Sequence, residues 1–202
     1  MLKLIRVAVT GGIASGKTTV TSFFQKFGAY VVSADQIVHQ LLSSNTSLVK
    51  QVISLLGEQI LRDGSIDRKK MADIVFENPK LLQKLEHLLH PLVAQEIKAS
   101  WNYASSLNKY KLFVAEVPLL FEAGLENEFD ASIAVVSPED DCRKRYRGGI
   151  DDYNRRAISQ FTERQKALNA TFIIENTGSL EELEAKVASL YTLLSKGENL
   201  DV

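Results

Sequence analysis

The run Gly11-Gly12-Ile13-Ala14-Ser15-Gly16-Lys17-Thr18 satisfies the spacing G-x-x-x-x-G-K-[ST] in full. Glycines at its two ends let the backbone wrap around an anion, so that successive N–H groups point inward. The helix expected to follow adds the partial positive charge of its N-terminus at the same point. In such a cradle Lys17 reaches the β- and γ-phosphates of a nucleotide and the Thr18 hydroxyl ligates Mg²⁺. ATP and Mg²⁺ are therefore the expected ligands, with Gly12, Ile13, Ala14, Ser15, Gly16, Lys17, Thr18 and Thr19 around the phosphates. A glycine turn that merely joined a strand to a helix would leave the lysine unexplained, because a partly buried ammonium needs an anion.

A phosphate loop specifies nucleotide binding but not the reaction. No glycine has Asp three residues before it, and Asn108-Lys109-Tyr110 is followed by Lys111, so the D-x-x-G and N-K-x-D signatures of GTPase switches are absent. Asp35 follows the second apolar run, where a small-molecule kinase needs a base for the attacking hydroxyl. Asp35 also reads as the N-cap of a helix beginning near Gln36. The residues by themselves leave open a metabolite kinase, such as one acting on a nucleoside monophosphate, and a nucleotide-dependent switch module. The basic run from Arg143 to Arg147 is a clamp for the triphosphate, a solvated helix face or a nucleic-acid patch. Asn176 follows the last apolar run, where it meets a base or substrate or simply turns the chain before Gly178. His87 and His90 lie one turn apart, yet with a single cysteine and no further histidine nearby they do not read as a metal site. His90 before Pro91 reads as a helix-to-helix corner near the substrate.

These residues need elements to hold them. Leu4 to Val9, apolar except for Arg6, reads as a buried strand that breaks at Gly11-Gly12. Val20, Phe23, Phe24 and Phe27 then recur at helical spacing. Four more short apolar runs, Tyr30–Ala34, Leu112–Val117, Ala131–Val136 and Thr171–Ile174, read as strands. Ser179 and Glu182 form a capping box ahead of a helix through Leu194. Strands alternating with helices imply an α/β fold, a parallel five-stranded sheet flanked by helices whose ligands bind beyond the carboxyl ends of the strands. From Asp35 to Lys109 the pattern is helical, without a convincing strand. The expectation is one P-loop kinase domain: a core of 1–34 and 110–202, a helical substrate-binding insertion over about 35–109 and a lid over about 138–160.

Composition limits the alternatives. The chain has 202 residues, and its 24 Lys+Arg against 25 Asp+Glu give a net charge of -1. That balance removes the basic excess expected of a general nucleic-acid binder, while a small anionic ligand needs only a local patch. A lone cysteine, Cys142, cannot form an internal disulfide and fits a reducing compartment. No hydrophobic segment with a cleavage site opens the chain. A cytoplasmic protein, monomeric or weakly homo-oligomeric, acting on small molecules and binding neither membrane nor nucleic acid, is the expectation.

The run Val9-Thr10-Gly11-Gly12-Ile13-Ala14-Ser15-Gly16-Lys17-Thr18-Thr19 resembles the opening of dephospho-CoA kinases, P-loop enzymes that phosphorylate the ribose 3′-hydroxyl of dephospho-CoA. Ser33-Ala34-Asp35 is similar to the family's D-A-D, and Asp63-Gly64-Ser65-Ile66-Asp67-Arg68 to its D-G-x-x-D-R. Leu85-Glu86 with His90-Pro91, Glu116-Val117-Pro118-Leu119-Leu120-Phe121-Glu122, Gln160 and Asn176-Thr177-Gly178 continue the likeness in order. The resemblance implies ATP-dependent formation of coenzyme A with Asp35 as base and arginines of the lid, Arg143 and Arg147, on the phosphates. It also implies acceptor contacts at Thr10, Asp35, His90, Pro118, Leu119 and Phe121, and a nucleotide contact at Asn176. Three positions depart from the pattern. Ala14 replaces a usual glycine, which calls for a negative φ. Ser33 replaces the first Asp of D-A-D, and Glu116 stands where relatives mostly carry Asp.

Overall fold

The computed structural model describes residues 4–44 and 46–196; the ends of the expected core range, 1–3 and 197–202, lie outside the described residues. Its strands are β1 (Ile5–Gly11), β2 (Tyr30–Ser33), β3 (Leu61–Arg62), β4 (Ser65–Ile66), β5 (Leu112–Glu116), β6 (Ala131–Val136) and β7 (Phe172–Glu175). The α-helices are α1 (Lys17–Lys26), α2 (Ala34–Ser44), α3 (Thr46–Leu56), α4 (Arg68–Glu77), α5 (Pro79–Ser106), α6 (Glu139–Arg145), α7 (Ile150–Ile158), α8 (Glu163–Asn169) and α9 (Leu180–Ser195). The chain divides into two compact units, Met1–Ser33 with Ile97–Val202, and Ala34–Glu96.

In the first unit the five longer strands form one parallel sheet in the order β2-β5-β1-β6-β7. Central β1 is buried over Val7, Ala8 and Val9, and helices α1 and α9 seal one face of the sheet with Val20, Phe24, Leu183 and Val187. Each such side chain, fully removed from water, contributes about 1.5–3 kcal/mol. Arg6 is tolerated in this strand because Asp130 accepts from its backbone N–H at 2.8 Å and from its guanidinium at 3.0 and 3.2 Å. The carboxylate lifts the guanidinium pKa above its ordinary value. The capping box expected at α9 is present: Ser179 Oγ accepts from Glu182 N, and Glu182 Oε2 accepts from Ser179 N, each at 3.2 Å.

The second unit corrects the sequence reading twice. Strands β3 and β4 pair antiparallel within the stretch read as helical throughout. Two residues per strand are too few for a period-2 pattern, and the sign of this hairpin is Asp63-Gly64, both at positive φ (51° and 77°), as a tight primed turn requires. Helix α5 runs unbroken through Pro91, so His90-Pro91 is not a corner. Pro91 and His87, one turn earlier, are both exposed, which lets the carbonyl that loses its donor turn to water. The side chain of Asp67 caps α4 by accepting from Lys69 N at 3.0 Å and Lys70 N at 3.2 Å. No described helix is long and apolar enough to cross a membrane.

Candidate active site

The parallel register brings the ends of β1, β5 and β6 to one edge: Val9 pairs with Glu116, and Gly11 with Val135. The loop Gly12–Gly16 leaves β1 at that edge and enters α1 through Gly16, whose φ of 103° an L side chain rarely adopts. A Cβ there would also collide with the Asn176 amide. Ala14 has a φ of +56°, against the negative value expected from the sequence. The loop closes around Ser15, with Ser15 N donating to Gly12 O at 3.3 Å, and the methyl group is carried in the left-handed region as a local cost.

Asn176 is neither a bare turn residue nor a side chain turned toward solvent. Only 9% exposed, it donates through Nδ2 to the Ser15 carbonyl at 2.8 Å. Its carbonyl accepts from Ser137 Oγ at 3.0 Å, and Arg145 donates to that same hydroxyl at 2.9 Å. The end of β7 thereby props the phosphate loop from beneath. Ser15 is fully buried and its Oγ has no hydrogen-bond partner among the described residues.

Lys17 Nζ donates to the carbonyls of Gly11 and Gly12 at 3.2 and 2.7 Å, holding its charge over the cradle. Thr18 Oγ1 donates to Glu116 Oε1 at 3.0 Å, and Thr21 Oγ1 to Glu116 Oε2 at 3.2 Å. Glu116 is 7% exposed, so a carboxylate and a hydroxyl stand side by side at the end of β5 next to the loop. That hard oxygen donor pair suits Mg²⁺, which favours one or two carboxylates with phosphate and water. The extra methylene at position 116 does not prevent the contact with Thr18.

A cleft of about 340 Å³ opens beside the loop, lined among others by Gly12, Ile13, Tyr153, Phe161 and Glu163. Glu163 sits close enough to Gly12 that a Cβ there would come 2.8 Å from its Oε1 and displace the carboxylate. Its Oε2 accepts from Ser137 N at 3.2 Å. Burial raises the pKa of this carboxyl above the usual range, opposed by hydrogen bonds from Ser137 and Cys142 and by the Lys17 charge.

In the expected lid region, α6 and α7 are joined by a turn that leaves Arg147 exposed. Arg143 is held by Glu139 Oε1 at 2.7 and 3.0 Å, and its guanidinium lies over the Tyr153 ring at 5.5 Å. Asp152 accepts from Tyr146 and from Arg156, and these contacts hold its carboxyl below the usual range, the Tyr146 hydrogen bond first.

The residues brought together are thus Gly12–Thr19, Glu116 and Asn176, with Thr10 joined to Pro118 by a hydroxyl-to-carbonyl bond of 3.1 Å. Leu119 and Phe121 continue the half-buried turn after Pro118. Asp35 lies in the first turn of α2, whose first residue is Ala34, so it is inside the helix rather than its cap. Asp35 is exposed in the second unit, and His90 is half-buried in α5 of the same unit. Burial, then the neighbouring His87, lowers the His90 pKa. Sequence reasoning passed over Glu163, Ser137 and Lys166. A buried lysine in a polar segment has no periodic signature; the signal available there, unread in the sequence, was the spacing of Thr162 and Gln165, which form a second capping box at the start of α8.

The sequence profile of the dephospho-CoA kinase family matches residues 5–182. The dephospho-CoA kinase of Chlamydia felis is 40% identical over 198 residues, covering 96% of this chain and 98% of that protein. Among solved structures, a Thermus thermophilus protein superposes with a TM-score of 0.76 at 29% identity, covering 95% of this chain and 98% of the other. The dephospho-CoA kinase of Campylobacter jejuni superposes with a TM-score of 0.70 at 28% identity, covering 96% and 98%.

Proposed function

This chain belongs to the dephospho-CoA kinase family, and from that premise we propose that it transfers the γ-phosphoryl of ATP to the ribose 3′-hydroxyl of dephospho-CoA, giving coenzyme A and ADP. The observation that carries the site assignment is the complete phosphate loop at the end of β1, with the Thr18 hydroxyl 3.0 Å from Glu116.

In this reading the loop amides of Gly12–Thr19 and the Lys17 ammonium bind the β- and γ-phosphates, with Asn176 keeping the loop in shape. Thr18 and Glu116 would hold Mg²⁺, and the ion would supply positive charge to offset that on the phosphate oxygens. Asp35 accepts the proton of the acceptor hydroxyl as that oxygen bonds to phosphorus and the bond to the β-phosphate oxygen breaks. Arg143 and Arg147 approach the phosphates when the region over 138–160 closes, which also excludes water. Thr10, His90, Pro118, Leu119 and Phe121 contact the acceptor. A cytoplasmic setting and a monomeric or weakly associated state complete the proposal.

The test is ADP release with dephospho-CoA and with a panel of nucleoside monophosphates as acceptors. Dephospho-CoA should be preferred by at least tenfold in kcat/KM. Tenfold preference for a monophosphate, or slow hydrolysis that no acceptor accelerates, overturns the reading.

A further inference from the structure

The side chain of Lys166, on α8, is fully buried, although lysine is rarely buried unless paired. Its Nζ lies 3.0 Å from Glu122 Oε1 and donates to the Pro118 carbonyl. Each of those acceptors serves a second donor. Thr10 Oγ1, immediately before the phosphate loop, donates to the Pro118 carbonyl at 3.1 Å. Phe161 N, on the segment leading into α8, donates to Glu122 Oε1 at 2.7 Å. One ammonium therefore ties the two ends of the Pro118–Glu122 turn to each other, and the Thr10 hydroxyl ties that turn to the strand carrying the phosphate loop. Just beyond the turn, Ala123 N donates back to Leu119 O at 3.0 Å and Leu125 N to Leu120 O at 3.0 Å, which braces its backbone from the far side.

We propose that Lys166 is a positioning residue for the acceptor: by clamping Pro118 and Glu122 it fixes where Leu119 and Phe121 stand relative to the phosphate loop. The assignment rests on the proposed contact of this turn with dephospho-CoA. Lys166 acts through the turn, without touching either substrate. A purely structural role would lower stability and leave the two substrates equally affected. A positioning role acts on one substrate only, because the loop that binds ATP is braced separately by Asn176 and Glu116.

The variants are Lys166→Met, the double variant Lys166→Met/Glu122→Leu, and Phe121→Ala, each assayed well below its melting temperature with saturating Mg²⁺. Lys166→Met leaves the largely buried Glu122 carboxylate without its counter-charge, with the Phe161 N–H as its remaining donor, so it should melt lower than wild type, and the double variant, with no uncompensated buried charge, should recover most of that loss. In both, the KM for dephospho-CoA should rise at least tenfold while the KM for ATP stays within twofold. An acceptor KM in the double variant within twofold of wild type overturns the proposal, as does an equal rise in both KM values. Phe121→Ala separates the two layers. If it leaves the acceptor KM unchanged, the acceptor reading of the turn is wrong, and the inference goes with it. If it raises that KM and Lys166→Met does not, only the role of Lys166 is refuted.

Discussion

Replacing Asn176 by alanine removes the prop beneath the phosphate loop without touching a residue that meets ATP phosphates. The bond lost is that from Nδ2 to the Ser15 carbonyl, 2.8 Å long and between groups that are 9% and 0% exposed. Removing one partner of a buried hydrogen bond, so that the acceptor is left without a donor, costs roughly 1–3 kcal/mol. For a chain of this size each kcal/mol moves the melting temperature by about 2–4 °C, which places the expected drop at roughly 2–12 °C. The loop, released from its brace, must then be ordered by the nucleotide at about 1–2 kcal/mol per residue fixed, so ATP affinity should fall by roughly tenfold. Asn176→Asp should be worse, since it sets a carboxylate oxygen against the Ser15 carbonyl and adds negative charge below the phosphates. Thermal melts and titration with a non-hydrolysable ATP analogue read both effects. An alanine variant that melts within 1 °C of wild type and binds the analogue within twofold would falsify the brace.

Asp35→Asn should lower kcat by about 100-fold or more with ATP affinity within twofold, as loss of a general base predicts; a kcat near wild type removes Asp35 from the chemistry. Glu116→Gln keeps an acceptor for one threonine hydroxyl but loses the charge beside Thr18, so the Mg²⁺ concentration for half-maximal rate should rise at least tenfold, and an unchanged magnesium titration refutes the metal role. Glu163 bears on pH. Its folded pKa lies above the unfolded value, so in the window between the two the folded state holds a proton that the unfolded chain releases, and stability falls as pH rises through it. Glu163→Gln should therefore gain melting temperature relative to wild type as pH rises from about 4.5 upward, and parallel melting curves across that range contradict the assignment.

The parts of the site that were legible in advance are those a short stretch of backbone dictates. The phosphate loop declares itself because two glycines, a lysine and a threonine at fixed spacing serve one anion, and the chain after Gly16 turns helical, with Phe23 and Phe24 facing inward as their spacing requires. The parallel sheet follows from five short apolar runs separated by helical stretches. Expectation failed where the local rule was met by an unexpected compensation. Pro91 stays within α5 because that helix face is exposed, and Ala14 takes φ +56° because the loop closure around Ser15 outweighs a local strain.

The sequence by itself therefore determined the phosphate loop, the class of fold and the family, since these depend on neighbours along the chain. Only the tertiary structure decided that Asn176 braces Ser15, that Glu116 stands beside Thr18, and that Lys166 joins Pro118 to Glu122. Those partners are far apart in sequence. Strand register and helix packing bring them within hydrogen-bond reach, and the exclusion of water there makes a polar group without its partner costly enough to fix each pairing.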